Sequence, residues 1–113
     1  MKQVVDISIG ELSKMAEKMY GQLVKSVVDV KKNIIVVDAE MHVDMEQYLL
    51  ENGSMQADLW GINLYTDKFG TEDFIEFDSI INIRPRIKNY SRGVEDENTK
   101  QKIRDIVYGV VHE

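Results

Sequence analysis

The segment Asp38-Ala-Glu-Met-His-Val-Asp-Met-Glu46 carries an ionisable side chain at every second position. Asp38 and Glu40 follow the apolar run Ile34-Ile35-Val36-Val37 and would project from its C-terminal end. From Met41 the apolar spacing turns helical, and on a helix His42 and Glu46 stand one turn apart on one face. An imidazole and a carboxylate so placed can share a divalent metal. They can also hydrogen-bond, the carboxylate orienting the ring and raising its pKa. In that second arrangement His42 is a general base for catalysis near neutral pH, and Glu46 is its partner. Asp38, Glu40, His42, Asp44 and Glu46 are therefore the metal candidates. His112 is the only other histidine, so oxygen atoms would dominate any ligand set. The plainer explanation is a helix N-terminus that gathers acids to match its dipole, with His42 as a cap.

Two further constellations carry polar groups that could meet a ligand. Asn63 closes Trp60-Gly61-Ile62-Asn63, and Asn82 and Arg84 alternate with Ile81 and Ile83 ahead of Pro85. An Asn or Arg on a half-buried strand must find partners or carry a desolvation penalty. Arg84 precedes the only proline, which holds its backbone extended. Its guanidinium could pair with Asp38 or Glu40, or offer its planar fork to a ligand carboxylate or phosphate. Trp60 reads as core, and Gly61 as a bulge or a point of close backbone approach. Further on, Arg86, Lys88 and Arg92 surround Tyr90, which are the ingredients of a nucleic-acid contact.

These residues need elements to position them. Ser8-x-x-Glu11 is a capping box, and Ile9, Leu12, Ala16, Met19 and Tyr20 continue at helical spacing to a stop at Gly21. A short strand is expected over 3–7. Two β-branched runs, 23–30 and 34–37, flank Lys31-Lys32-Asn33 and predict a hairpin. Met41, Met45, Tyr48 and Leu49 predict a helix ending at Asn52-Gly53. Residues 57–65 are apolar at most positions and predict a central strand. Residues 74–77 and 80–84 predict two short strands, or one strand broken at Asp78-Ser79. Acids at 95–97 open a closing helix with Ile103, Ile106, Val107, Val110 and Val111 on its apolar stripe. The order β-α-β-β-α-β-β-β-α, with hairpin connections, predicts an α+β fold. Its mainly antiparallel sheet of about five strands would carry three helices on one face.

Composition narrows the function classes. The 113 residues suit one globular domain over 1–113, and 43% hydrophobic with 30% charged residues is the mix of an ordinary folded protein. There is no cysteine, which removes disulfides, thiolate metal sites and cysteine nucleophiles. No apolar run approaches the roughly 20 residues that span a bilayer. The first residues lack the apolar core of a signal peptide, so a cytoplasmic, membrane-free protein is expected. The net charge of −6 opposes binding to nucleic acid or anionic membrane. The charges are also segregated. Eleven acids and one base, Lys68, lie between Asn33 and Ser79, whereas residues 84–92 carry Arg84, Arg86, Lys88 and Arg92 with no acid. Blocks of opposite sign suggest internal pairing. No phosphate-binding glycine loop, dinucleotide fingerprint or nucleophile elbow is present.

Glu40-Met-His42-Val-Asp44, Gly53-Ser54-Met-Gln56, Trp60-Gly61-Ile-Asn63 and Ile81-Asn82-Ile83-Arg84-Pro85 together resemble a family of small prokaryotic proteins catalogued as a domain of unknown function. The resemblance spans about 23–108 and implies no activity, cofactor or site residue.

Two functional expectations result. In the first, Glu40, His42, Asp44 and Glu46 form one wall of a polar pocket at one end of the sheet, and Asn63, Asn82 and Arg84 form the other. Such a pocket would bind a small anionic ligand through Arg84 or a divalent metal through the acids. In the second, the chain is a non-catalytic interaction module. A partner protein or RNA would dock on the basic loop 86–92, or a second copy would pair through an exposed strand edge.

Overall fold

A computed structural model describes residues 1–113. The expected hairpin forms from Leu23–Asp29 (β3) and Ile34–Val37 (β4), with Asp29 facing Ile34 across the turn. Asn33 takes the left-handed φ of 57° that asparagine tolerates. Asp29 is fully buried. One of its carboxylate oxygens accepts from the N–H groups of Lys31 and Lys32, both at 2.9 Å. The other accepts from Ser54 Oγ at 2.7 Å. A β-turn is thus closed by a side chain that also fastens the distant loop at Ser54.

Around this hairpin stands an antiparallel sheet in the order β1-β4-β3-β5-β6, where β1 is Lys2–Val4, β5 is Leu59–Tyr65 and β6 is Ile75–Glu76. The register sets Val27 opposite both Val36 and Gly61. β5 lies between β3 and β6, as its apolar sequence predicts, and is buried from Leu59 to Leu64.

Three helices complete the α+β fold. Ile9–Lys18 (α1) begins at the predicted cap, where Ser8 Oγ accepts from Glu11 N–H at 3.1 Å. His42–Glu51 (α2) ends beside Gly53, whose φ of 97° suits glycine. Glu97–Val110 (α3) is capped by Asp96, which accepts from Thr99 N–H at 2.9 Å. The expectation of helices on a single face is wrong. Leu12 and Ala16 of α1 and Ile103, Ile106 and Val107 of α3 pack on Val24, Val28, Ile35, Val37, Ile62 and Leu64. Met45 and Leu49 of α2 pack on the opposite face, against Val27, Val36 and Leu59. Successive side chains of a strand point to opposite faces, so Val27-Val28, Ile34 to Val37 and the whole of β5 could not all be satisfied by helices on one side.

The segment after β6 departs further from expectation. Residues 80–84 are not a strand. Ile80–Asn82 form a single 3-10 turn, with Ser79 Oγ accepting from Ile81 N–H, and Pro85–Ile87 form another. Only an isolated bridge, Arg84 to Asn89, remains of the strand pattern, and Lys88 reverses the chain at a φ of 61°. The alternation of Ile81, Asn82 and Ile83 therefore marks inward and outward positions on turns. Ile81 and Asn82 are buried and Ile83 is open. A short parallel pair not predicted from the sequence, Ile7–Ser8 (β2) with Val111–His112 (β7), joins the start of α1 to the end of α3. No helix is long and apolar enough to cross a membrane.

Candidate functional site

The site region is organised around Gly61. β6 covers β5 only at Asn63 and Leu64. At Gly61 the Asn82 carboxamide stands in for a neighbouring strand. Its Oδ1 accepts from Gly61 N–H at 2.8 Å, and its Nδ2 donates to the Gly61 and Arg92 carbonyls at 3.0 and 2.9 Å. A Cβ on Gly61 would lie 2.5 Å from Ser79 Cβ and 3.2 Å from His42 Cδ2. This glycine therefore permits the close approach that its place beside Trp60 suggests. Asn89 braces the same loop. Its Nδ2 donates to the Asn82 and Gly93 carbonyls at 2.7 and 2.8 Å, and its Oδ1 accepts from Glu95 N–H at 2.9 Å. Asn82 thus spends its amide on backbone, and Asn89, which no sequence motif marks, does the same.

His42 sits in the first turn of α2, buried against β5. Its Nε2 lies 2.7 Å from the Ile62 carbonyl. A carbonyl only accepts, so Nε2 carries the hydrogen. Burial holds the ring below the usual imidazole pKa of 6.5; the Ile62 hydrogen bond and Asp78 oppose that shift, and the charges of Lys25 and Arg92 add to it. The expected His42–Glu46 hydrogen bond is absent, and the shift is downward rather than upward. Glu46 is also buried, and its Oε2 has no partner. Glu40 and Asp44 are exposed, and Asp38 lies at a left-handed φ of 65° at the end of β4. Nowhere in the chain do three His, Asp or Glu side chains gather closely enough to hold a metal ion. Asn63 faces β6, where its Nδ2 donates to Glu76 Oε1 at 2.8 Å and its Oδ1 is left unpartnered. Of the two predicted walls, His42 and Asn82 thus meet at Gly61, whereas Glu40 and Asp44 stay in solvent.

Arg84 is half-buried and pairs with neither Asp38 nor Glu40. The chain's only lysine or arginine ion pairs are Arg92–Asp78 and Lys100–Glu97, and His112 Nε2 lies 2.9 Å from Asp6 Oδ1. The guanidinium carbon instead lies 4.3 Å from the centre of the Trp60 ring, and Nη1 donates to the Gln56 carbonyl. Nε and Nη2 are buried without a partner. Burial lowers the Arg84 pKa, while Glu46 and Asp58 raise it from a distance too great for pairing. Beside this side chain opens a groove of about 400 Å³, lined by Gln56, Ala57, Ile83, Arg84, Pro85, Arg86 and Ile87. Gln56, Ala57, Ile83 and Pro85 are the lining residues that the sequence does not mark for a site, whereas Arg86 and Ile87 lie in the basic loop 86–92. The signal for Arg86 was the acid-free stretch itself.

The fold and site define a small α/β/α-layered protein with an arginine-lined groove at the edge of its central sheet. The chain belongs to the family described as protein of unknown function (DUF5674), whose model matches residues 3–110. No curated protein and no solved structure is similar enough to match it.

Proposed function

We propose that this protein binds a small anionic ligand in the groove between residues 56–57 and 83–87, with Arg84 and Arg86 as its cationic contacts. One observation carries the reading. The groove's only charged lining residues are two arginines, and neither is in an ion pair, although acids outnumber bases by 20 to 14. Internal pairing does not consume the basic block: of Arg84, Arg86, Lys88 and Arg92, only Arg92 meets a carboxylate. A divalent metal is the weaker alternative, because the acids of 38–46 are dispersed. We assign no acid–base step to His42 and Glu46, since the ring's N–H is committed to the Ile62 carbonyl and Glu46 does not touch it.

The reading is tested by thermal unfolding with acetate, phosphate and sulfate against chloride at fixed ionic strength. A ligand at a hundredfold excess over its Kd adds about 2.7 kcal/mol of stability. We expect an anion-dependent rise in Tm that disappears in Arg84→Gln and Arg86→Gln. A rise that survives both substitutions places the anion elsewhere.

A second reading has its own observation. Ile80 is 68% and Tyr90 64% exposed on the same loop, and exposed apolar side chains beside free cations suit an acidic partner protein. Such a partner would bind more weakly as salt rises and would lose affinity in Ile80→Ser. RNA bound at 86–92 would show a steep salt dependence and no effect of Ile80.

A further inference from the structure

The groove has two chemistries side by side. Its cationic part is the Arg84 guanidinium, steadied on the Trp60 ring at 4.3 Å with one amino group fixed to the Gln56 carbonyl. The two donors left over, Nε and Nη2, are adjacent on one edge of the fork. That edge matches the two oxygens of a planar carboxylate in parallel hydrogen bonds. A buried donor without a partner is costly, so an acceptor reaching this edge relieves a deficit as well as forming a bond. The other part is apolar. Ala57, Ile83 and Ile87 line the groove, and Ile83 and Ile87 remain 42% and 39% exposed. A bare inorganic anion would leave those walls wet.

We propose that the ligand is an amphiphilic carboxylate, a single acid group on an apolar body, seated with its carboxylate on Arg84 and its body against Ile83 and Ile87. This inference rests on the anion-binding reading of the same groove and narrows it. The ligand is a free small acid rather than the end of a protein chain, because a groove of about 400 Å³ lies at the low end of small-molecule pockets. Nε and Nη2 are themselves buried, so binding includes a turn of the Arg84 guanidinium that gives up the Gln56 hydrogen bond and offers the Nε–Nη2 edge to the groove.

The test is isothermal titration of the full chain at fixed ionic strength with 3-phenylpropionate, acetate, phosphate and the neutral 3-phenylpropionamide. Burial of the ring should make 3-phenylpropionate at least about tenfold tighter than acetate, and the amide should not bind. Ile83→Ser, at an open position, should weaken 3-phenylpropionate and leave acetate unchanged. Arg84→Lys keeps the charge and loses the fork, and should weaken both acids while far-UV circular dichroism stays that of the parent. Acetate and phosphate binding as tightly as 3-phenylpropionate, in an Arg84-dependent way, overturns the amphiphilic ligand and leaves the anion groove standing. No binding of any anion overturns both. A leucine-terminated hexapeptide that binds more tightly than 3-phenylpropionate overturns the assignment to a free acid.

Discussion

At the scale of single residues, the polar side chains near Gly61 are mostly structural, and two predictions separate their roles. Asn82 makes three hydrogen bonds to backbone from a fully buried position. Asn82→Ala strands the Gly61 N–H in the interior, at about 1–3 kcal/mol per unsatisfied group. Urea unfolding should show that loss with the slope unchanged. An alanine variant as stable as the parent would mean that water reaches Gly61. His42 gives a pH signature. Its folded pKa lies below the unfolded value of 6.5, so the unfolded chain binds the proton more readily. The stabilising contribution is complete above 6.5 and is lost as pH falls from there through the folded pKa. His42→Gln can keep a donor to Ile62 but cannot titrate. The parent's stability should therefore drop more steeply than the variant's as pH falls below about 6.5, and parallel curves would remove His42 as the cause.

At the scale of elements, the strongest link that the chain order hides is Asp29. It closes the β3–β4 turn through two backbone N–H groups and reaches Ser54 beyond the end of α2. Ser54→Ala removes a hydrogen bond to a buried carboxylate, worth about 1.5–3 kcal/mol for a charged acceptor. A loss under about 0.5 kcal/mol, the size of an ordinary surface change, would show that Asp29 needs no partner there. The hairpin, the three helices, the Ser8 cap and the antiparallel sheet were legible because each rests on local periodicity or a local turn. The helix layers differ from expectation, and the sequence signal for two layers is the doubly apolar β5, which needs cover on both faces. The sequence of residues 80–84 does not distinguish a strand from turns, because alternation of Ile and Asn is shared by a half-buried strand and by tight turns with one side inward. The groove was legible only at Arg84 and in the acid-free stretch. Gln56 and Ala57 join it through the β5 entry turn, a contact 28 residues from Arg84 along the chain that no spacing announces.

At the scale of the whole molecule, the charge distribution decides how salt acts. The net charge is −6, and the ion pairs Arg92–Asp78 and Lys100–Glu97 each have at least one largely exposed member. Exposed pairs contribute little, so their screening costs little. Mutual repulsion among the acids of 33–79 acts over longer distances and is felt throughout the folded state. The screening length falls from about 10 Å at 0.1 M to about 3 Å at 1 M salt. Sodium chloride should therefore stabilise the protein. A gain on the order of 1 kcal/mol would raise Tm by about 4 °C in a domain of this size. Chloride is the right probe, because sulfate also strengthens apolar burial. The same addition should weaken a carboxylate bound at Arg84, since that attraction is screened while the repulsion is relieved. Stability rising and ligand affinity falling along one salt series would separate the field of the whole chain from that of the groove. A Tm that falls with sodium chloride would show that ion pairs, and not repulsion, govern the folded state.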